Sequence, residues 1–154
     1  MEAVTDRVAK WRFERAGAIY VECDTQLPCK EKLLRCFELG QADLKRRFGV
    51  ASEVLWIPDV FGYWPRLPQI MRASGVKYFF TAKLHGSSAT QFPFSSFRWQ
   101  GPDGSEVLTH LSFHPYNEIT QPSGLQFTAE NHRRGGVHDE APTPTGYGDS
   151  YGDG

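Results

Sequence analysis

The chain has 154 residues, of which 40% are hydrophobic and 23% are charged, and its formal net charge is −1. This length fits one domain with a modest core, and the composition is that of an ordinary globular protein. A net charge so close to zero gives no electrostatic footprint for nucleic acid or for an anionic membrane, so we expect neither as a partner. No apolar run in the sequence approaches the ~20 residues of a membrane span.

The first half of the chain is predicted to alternate between helices and strands. In chain order, the predicted elements are a helix over 2–16, a strand over 18–23, a helix over 30–48, a strand over 54–57, a helix over 65–74 and a strand over 76–81. Gly17, Gly49 and Gly75 follow the three helices as stop signals. This alternation predicts three neighbouring parallel strands with the helices outside the sheet.

The second half is predicted to contain a hairpin and then mostly loop. A loop over 84–94 leads to strands over 96–100 and 106–111, which flank the turn signal G-P-D-G. A short helix is predicted over 125–134. From 137 onward Pro, Gly, Asp and Tyr dominate, which is typical of loop or disordered sequence.

The three cysteines are Cys23, Cys29 and Cys36, an odd count without C-x-x-C spacing. They fit neither a disulfide framework nor a zinc motif, so we expect reduced thiols in an intracellular protein. Residues 1–15 are charged throughout and lack the apolar core of a secretion signal. We therefore expect a cytoplasmic location.

Asp59 stands out because it directly follows a buried-type strand and precedes an aromatic-glycine turn and a helix. In α/β barrels, active sites are built at the carboxyl ends of the strands, so Asp59 is a candidate reactive group. An Asp at such a position can equally cap the helix that follows. The local pattern leaves both interpretations open.

A family resemblance favours the reactive role. Residues 56–63 read W-I-P-D-V-F-G-Y and resemble the motif W-L-P-D-V-F-G-Y-S of the retaining α-mannosidases of glycoside hydrolase family 38. Residues 22–28, E-x-D-x-Q-L-P, resemble that family's E-x-D-x-N-x-P segment, and residues 99–105, W-x-G-x-D-G-S, resemble its hairpin. The sequence departs from the family pattern at Trp64, where the family usually has Ser.

The resemblance implies an α/β fold that forms part of a (β/α)7-type barrel with parallel strands, plus a β-hairpin and a loop-like or disordered C-terminal tail. Residues 1–136 would be a partial catalytic barrel and residues 137–154 a loop segment. The implied reaction is hydrolysis of terminal α-mannosides in mannose-containing oligosaccharides, with retention. We expect this chain to be a fragment of the catalytic domain that is inactive alone.

The resemblance also assigns chemistry to particular residues. Asp59 would be the nucleophile and would also ligate a zinc ion that holds the mannose ring, with the other zinc ligands outside this chain. Retaining glycosidases need a second carboxyl about 5–5.5 Å away as acid/base. The tail resembles the family's G-Y-G-D-G loop, so Asp149 is our candidate and Asp153 the alternative. A plain flexible tail is the competing interpretation.

Two further residues are predicted to bind substrate. Lys83 matches the T-x-K at the end of the family's next strand and could approach a substrate oxygen. Tyr116 matches a Tyr-Asn segment after the hairpin, near the sugar. The plain alternatives are a solvated lysine and a tyrosine packed on the surface. His110 and His114 do not form a metal pair, because positions i and i+4 of a strand stand ~13 Å apart.

Two other functions remain open from the sequence. A non-catalytic carbohydrate-binding or interaction protein derived from this fold would fit the departure at Trp64 and the irregular tail. A polysaccharide deacetylase is a related metal-dependent barrel, but the D-V-F-G-Y motif argues against it.

Overall fold

A four-stranded sheet frames the fold in the computed structural model, which describes residues 2–86 and 92–112. Its strands are β1 (Val54–Trp56), β2 (Tyr78–Thr81), β3 (Ser96–Gln100) and β4 (Glu106–Leu111), in the order β1-β2-β4-β3. β1 pairs with β2 in parallel and β2 with β4 in parallel, whereas β3 and β4 are antiparallel. The predicted parallel pairing of the strand before Asp59 is confirmed, and so is the hairpin.

Three α-helices accompany the sheet within the described part of the chain. They are α1 (Glu2–Ala9), α2 (Lys30–Phe48) and α3 (Leu67–Ala73). α2 and α3 confirm the predicted helices, but α1 ends seven residues before the predicted bound of 16. Trp11 has a φ of 55°, a left-handed conformation that no helix can continue through. No helix in the described part of the chain has the length and apolar character needed to cross a bilayer.

α2 packs on the sheet through one apolar face. Leu33, Phe37 and Gly40 are its buried residues, at spacings of four and three that place them on one side of a helix. Gly40 permits a very close approach, because a Cβ there would lie 2.6 Å from the Cα of Ile19. The helix ends at Gly49, whose φ of 78° and N–H bond to the carbonyl of Lys45 form a left-handed cap.

The predicted strand over 18–23 is wrong. The structure has one isolated parallel bridge just before this segment, between Gly17 and Leu55, and no ladder. Gly17 and Ala18 both have positive φ, 138° and 61°, which turns the chain away from an extended path. The N–H of Tyr20 then bonds to the carbonyl of Cys36 in α2 at 3.0 Å, so this segment follows the helix rather than the sheet.

The chain between the second and third strands begins with a 3₁₀ turn, Lys83–Gly86, within the stretch predicted as loop. β4 pairs with β2 in parallel and is the third parallel strand of the sheet. The sequence had predicted this third strand at 18–23. The predicted helix over 125–134, the tail over 137–154 and the domain boundary at 136 lie outside the described residues.

The two faces of the sheet differ. One face carries the core, in which Leu55, Phe79 and Val107 are buried together with Leu33 and Phe37 of α2. The other face carries a stack of rings across three parallel strands. The ring centres of Trp56 and Phe80 are 3.9 Å apart with nearly parallel planes, and Phe80 stacks on His110 at 5.9 Å.

Candidate active site

Asp59 and Lys83 form an ion pair at one edge of the sheet. Asp59 lies three residues beyond β1 and Lys83 two residues beyond β2. Because these strands are parallel neighbours, their carboxyl ends meet at the same edge. The Nζ of Lys83 lies 2.9 Å from Oδ1 of Asp59, and both side chains are about one third exposed, at 34% and 39%. A carboxylate paired with an ammonium is therefore presented at a partly open position.

Lys83 makes a second contact that restricts where its ammonium can lie. Its Nζ sits 4.8 Å from the centre of the Phe61 ring, over the ring face. Phe61 itself is 82% exposed, so this contact forms on the solvent side of the turn. The attraction between a cation and an aromatic face at an exposed site contributes about 0.5–1 kcal/mol, enough to bias the lysine towards Asp59.

The turn after Asp59 is held by residues 22–27, which we call the clasp segment. The hydroxyl of Thr25 donates to the carbonyl of Gly62 at 3.3 Å and accepts the N–H of Trp64 at 3.1 Å. Gly62 has a φ of 131°, and a Cβ there would collide with the side-chain amide of Gln26. Glycine is thus required for the backbone angle, whereas the flexible Gln26 amide can move aside.

The clasp segment also contacts the backbone of Asp59 itself. Oε1 of Glu22 accepts the Asp59 N–H at 2.8 Å. Within the segment, Oδ1 of Asp24 accepts the N–H groups of Gln26 at 2.6 Å and Leu27 at 3.0 Å, a turn that fixes the local chain. The sequence offered Glu22 and Asp24 only as part of a resemblance. In the structure, both carboxylates accept backbone N–H groups.

Tyr63 anchors the turn from the core side. Its hydroxyl donates to the carbonyl of Ile57 at 3.2 Å and is also bonded to the hydroxyl of Thr81. Its ring meets those of Phe79 and Trp99 edge-on. Burial raises the pKa of Tyr63 to about 12, with smaller upward contributions from the charges of Glu22 and Asp59, while the bond to Thr81 lowers it.

The raised pKa of Tyr63 predicts a loss of stability in alkali. From the ordinary value of 10.0 up to about 12, the unfolded chain gives up this proton and the folded chain keeps it. Unfolding then releases a proton, so the free energy of unfolding falls as pH rises through this window. Urea midpoints measured at about pH 9 and about pH 11.5 should drop more for wild type than for Tyr63→Phe. Equal drops in the two proteins would contradict the assignment.

An aromatic cavity beside Tyr63 does not suit a sugar. It has a volume of about 310 Å³ and is lined by Tyr63, Phe79, Leu84, Phe92, Phe97, Trp99 and Thr109. The hydroxyl of Thr109 is its buried polar group without a hydrogen-bond partner among the described residues. A pyranose placed there would leave most of its hydroxyls unpaired, at a cost of about 1–3 kcal/mol each.

Other residues named from the sequence lie apart from the pair or outside the described chain. His110 bonds to the hydroxyl of Ser96 through Nδ1 at 2.9 Å and is a structural residue of the hairpin. Tyr116, Asp149 and Asp153 lie outside the described residues. Over residues 2–86 and 92–112, no three His, Cys, Asp or Glu side chains come together as a metal site.

Comparison with known proteins identifies the family. The sequence profile described as "Glycosyl hydrolases family 38 N-terminal domain" matches residues 1–153. The chain belongs to glycosyl hydrolase family 38. An alpha-mannosidase of Saccharomyces cerevisiae is 38% identical over 126 residues, and alpha-mannosidase 2C1 of Homo sapiens is 34% identical over 152 residues. These alignments cover 82% and 97% of the chain but 11% and 14% of the relatives.

A solved structure agrees on the fold. The crystal structure of an alpha-mannosidase from Enterococcus faecalis V583 superposes with a TM-score of 0.70 at 17% identity, covering 95% of this chain and 17% of that one. The mixed α/β arrangement therefore matches the fold of part of that alpha-mannosidase. The chain spans roughly a tenth to a sixth of the length of the proteins it matches.

The family 38 position occupied by Trp64 is explained by packing. Its ring packs against the buried core, and the ammonium of Lys30 lies 5.7 Å from the ring centre. Its backbone N–H bonds to Thr25 of the clasp segment. The residue that departs from Ser thus packs on the core and beside Lys30, the first residue of α2.

Proposed function

We propose that this chain supplies the nucleophile segment of an α-mannosidase that hydrolyses terminal α-mannosides in oligosaccharides with retention. The observation that carries the proposal is the Asp59–Lys83 ion pair at adjacent strand ends, within a chain that belongs to family 38. Because the chain covers so little of its relatives, we assign the activity to a longer enzyme that contains it.

The complete fold in this proposal is a (β/α)7-type barrel. Three neighbouring strands, β1, β2 and β4, are parallel, and the helices packed on them cover one face. The opposite face, with Trp56 and Phe80, would then line the barrel interior. In such a barrel the open edge beside Asp59 faces the active-site end.

In the proposed reaction, Asp59 attacks the anomeric carbon of the mannoside. A bond forms between an Asp59 carboxylate oxygen and the anomeric carbon while the bond to the leaving oxygen breaks, and that oxygen takes a proton from the acid/base. Water then attacks the glycosyl-enzyme, the acid/base accepts its proton, and Asp59 leaves as a carboxylate. Lys83 pairs with Asp59 before attack, and Asp149 is our candidate for the acid/base.

Zinc is part of this proposal only through Asp59. A carboxylate is a suitable zinc ligand, but a zinc site needs about four ligands, and the described residues form no cluster of three or more His, Cys, Asp or Glu side chains. Asp59 would therefore be one ligand, with the rest supplied from outside the described residues. Bound zinc would hold hydroxyls of the mannose ring and favour its distortion.

Lys83→Gln should reduce kcat/KM for an aryl α-mannoside by about tenfold to a hundredfold. The glutamine keeps a donor near Asp59 but removes the positive charge that stabilises the nucleophilic form. The matched control is Lys77→Gln, which breaks the exposed pair with Glu53, 2.6 Å long, well away from Asp59. Its activity should remain that of wild type. Equal losses in the two variants would show that the charge of Lys83 has no specific role.

The proposed function is tested by following the product anomer. The longer enzyme is incubated with 4-nitrophenyl α-mannoside in an NMR tube, and the first mannose released should be the α-anomer. A first-formed β-anomer would contradict the covalent role of Asp59. Absence of hydrolysis in the folded enzyme, with zinc supplied, would overturn the function.

A further inference from the structure

Glu22 supplies the hydrogen-bond partner that the sheet does not provide for Asp59. The last backbone bond between β1 and β2 runs from the N–H of Ala82 to the carbonyl of Pro58. The N–H of Asp59 lies just beyond that ladder. It donates instead to Oε1 of Glu22, 37 residues earlier in the chain, at 2.8 Å.

The same clasp segment holds the far end of the turn. Thr25, three residues after Glu22, bonds to both Gly62 and Trp64. Glu22 and Thr25 therefore hold the two ends of the turn that carries the nucleophile. The chain just before the clasp segment is tied in turn to α2, since the N–H of Tyr20 bonds to the carbonyl of Cys36 at 3.0 Å.

We propose that Glu22 is a positioning residue for Asp59. Its carboxylate fixes the backbone from which the nucleophile projects, and it acts through this hydrogen bond rather than by transferring a proton. This inference rests on the proposed function, because Asp59 is taken as the nucleophile.

Two substitutions in the longer enzyme separate positioning from proton transfer. Glu22→Ala removes the acceptor, and we expect kcat to fall by about tenfold to a hundredfold while KM changes by less than about twofold. Glu22→Gln keeps a side-chain oxygen that can accept the same N–H, so it should recover most of kcat. A Gln variant as slow as the Ala variant would assign Glu22 a charge or proton-transfer role and overturn the inference.

Hydrogen exchange gives a readout that does not depend on activity. In the Ala variant, the Asp59 amide should exchange at least about tenfold faster, because it loses its partner, whereas the Gln variant should match wild type. Glu38→Ala, an exposed position on α2, is the control and should leave this amide unchanged. Unaltered exchange in Glu22→Ala overturns the positioning role. Wild-type protection of this amide without mannosidase activity would overturn the proposed function alone.

Discussion

Turnover of an aryl α-mannoside should fall by several orders of magnitude when Asp59→Asn is introduced into the longer enzyme. The amide has nearly the same volume, but it lacks the negative charge needed to attack the anomeric carbon and is a poorer metal ligand. It also loses the ion pair with Lys83, whose atoms lie 2.9 Å apart. Neither the remaining carboxyl nor water replaces a missing covalent nucleophile, which explains the size of the effect. Initial rates of nitrophenol release measure it.

Asp24→Asn provides the matched comparison for this variant. Asp24 lies in the clasp segment and accepts two backbone N–H groups through Oδ1. Asparagine retains that oxygen, so the turn persists and we expect a loss of less than about tenfold. Circular dichroism must show that both variants are folded. Near-normal activity of Asp59→Asn would refute the mechanism assigned to this chain.

Gly40→Ala should destabilise the fold by about 3 kcal/mol, the opposite sign from an ordinary helical glycine. At an open helix position this change stabilises by roughly 0.5–1 kcal/mol. At Gly40 the added methyl would lie 2.6 Å from Ile19 Cα and from the Tyr20 nitrogen, both of which are backbone atoms and cannot rotate aside. Helix α2 must therefore move away from the segment before the clasp. Urea unfolding followed at 222 nm gives the free energy of unfolding.

The reverse substitution Ala42→Gly, at an exposed position of the same helix, measures the effect of helix propensity on the free energy of unfolding. It should cost about 1 kcal/mol through helix propensity alone. If Gly40→Ala is instead more stable than wild type, the close approach of α2 to Ile19 is wrong. The two variants together separate helix propensity from packing.

The sequence predicted Asp59 and Lys83 at neighbouring strand ends because parallel strands follow simple rules. An apolar run ending in Asp59 and a second run ending near Lys83 predict two neighbouring strand ends, and the structure joins those two side chains. Their mutual contact was not predicted, since Lys83 was assigned to substrate. Which partner a flexible lysine chooses depends on distances that no local pattern contains.

The wrong prediction of a strand over 18–23 has a different physical cause. Residues 18–23 have the β-branched and aromatic character of a strand, but a left-handed φ at Ala18 redirects the chain. Ala18 is fully buried, so packing imposes this angle on a residue that would not adopt it alone. The bond from Asp59 to Glu22 was equally beyond prediction, because it joins positions 37 residues apart. Such contacts are set by tertiary structure.

The pairing of β1 with β2 makes the Asp59–Lys83 contact an all-or-none indicator of strand register. Val54 is opposite Tyr78 and Trp56 is opposite Phe80, and any slip that keeps the same face buried must move by two residues. Such a slip displaces one strand end by about 6.6 Å, more than twice the length of this ion pair. Packing variants in β1 or β2 should therefore retain the ion pair fully or lose it completely, with no graded lengthening between.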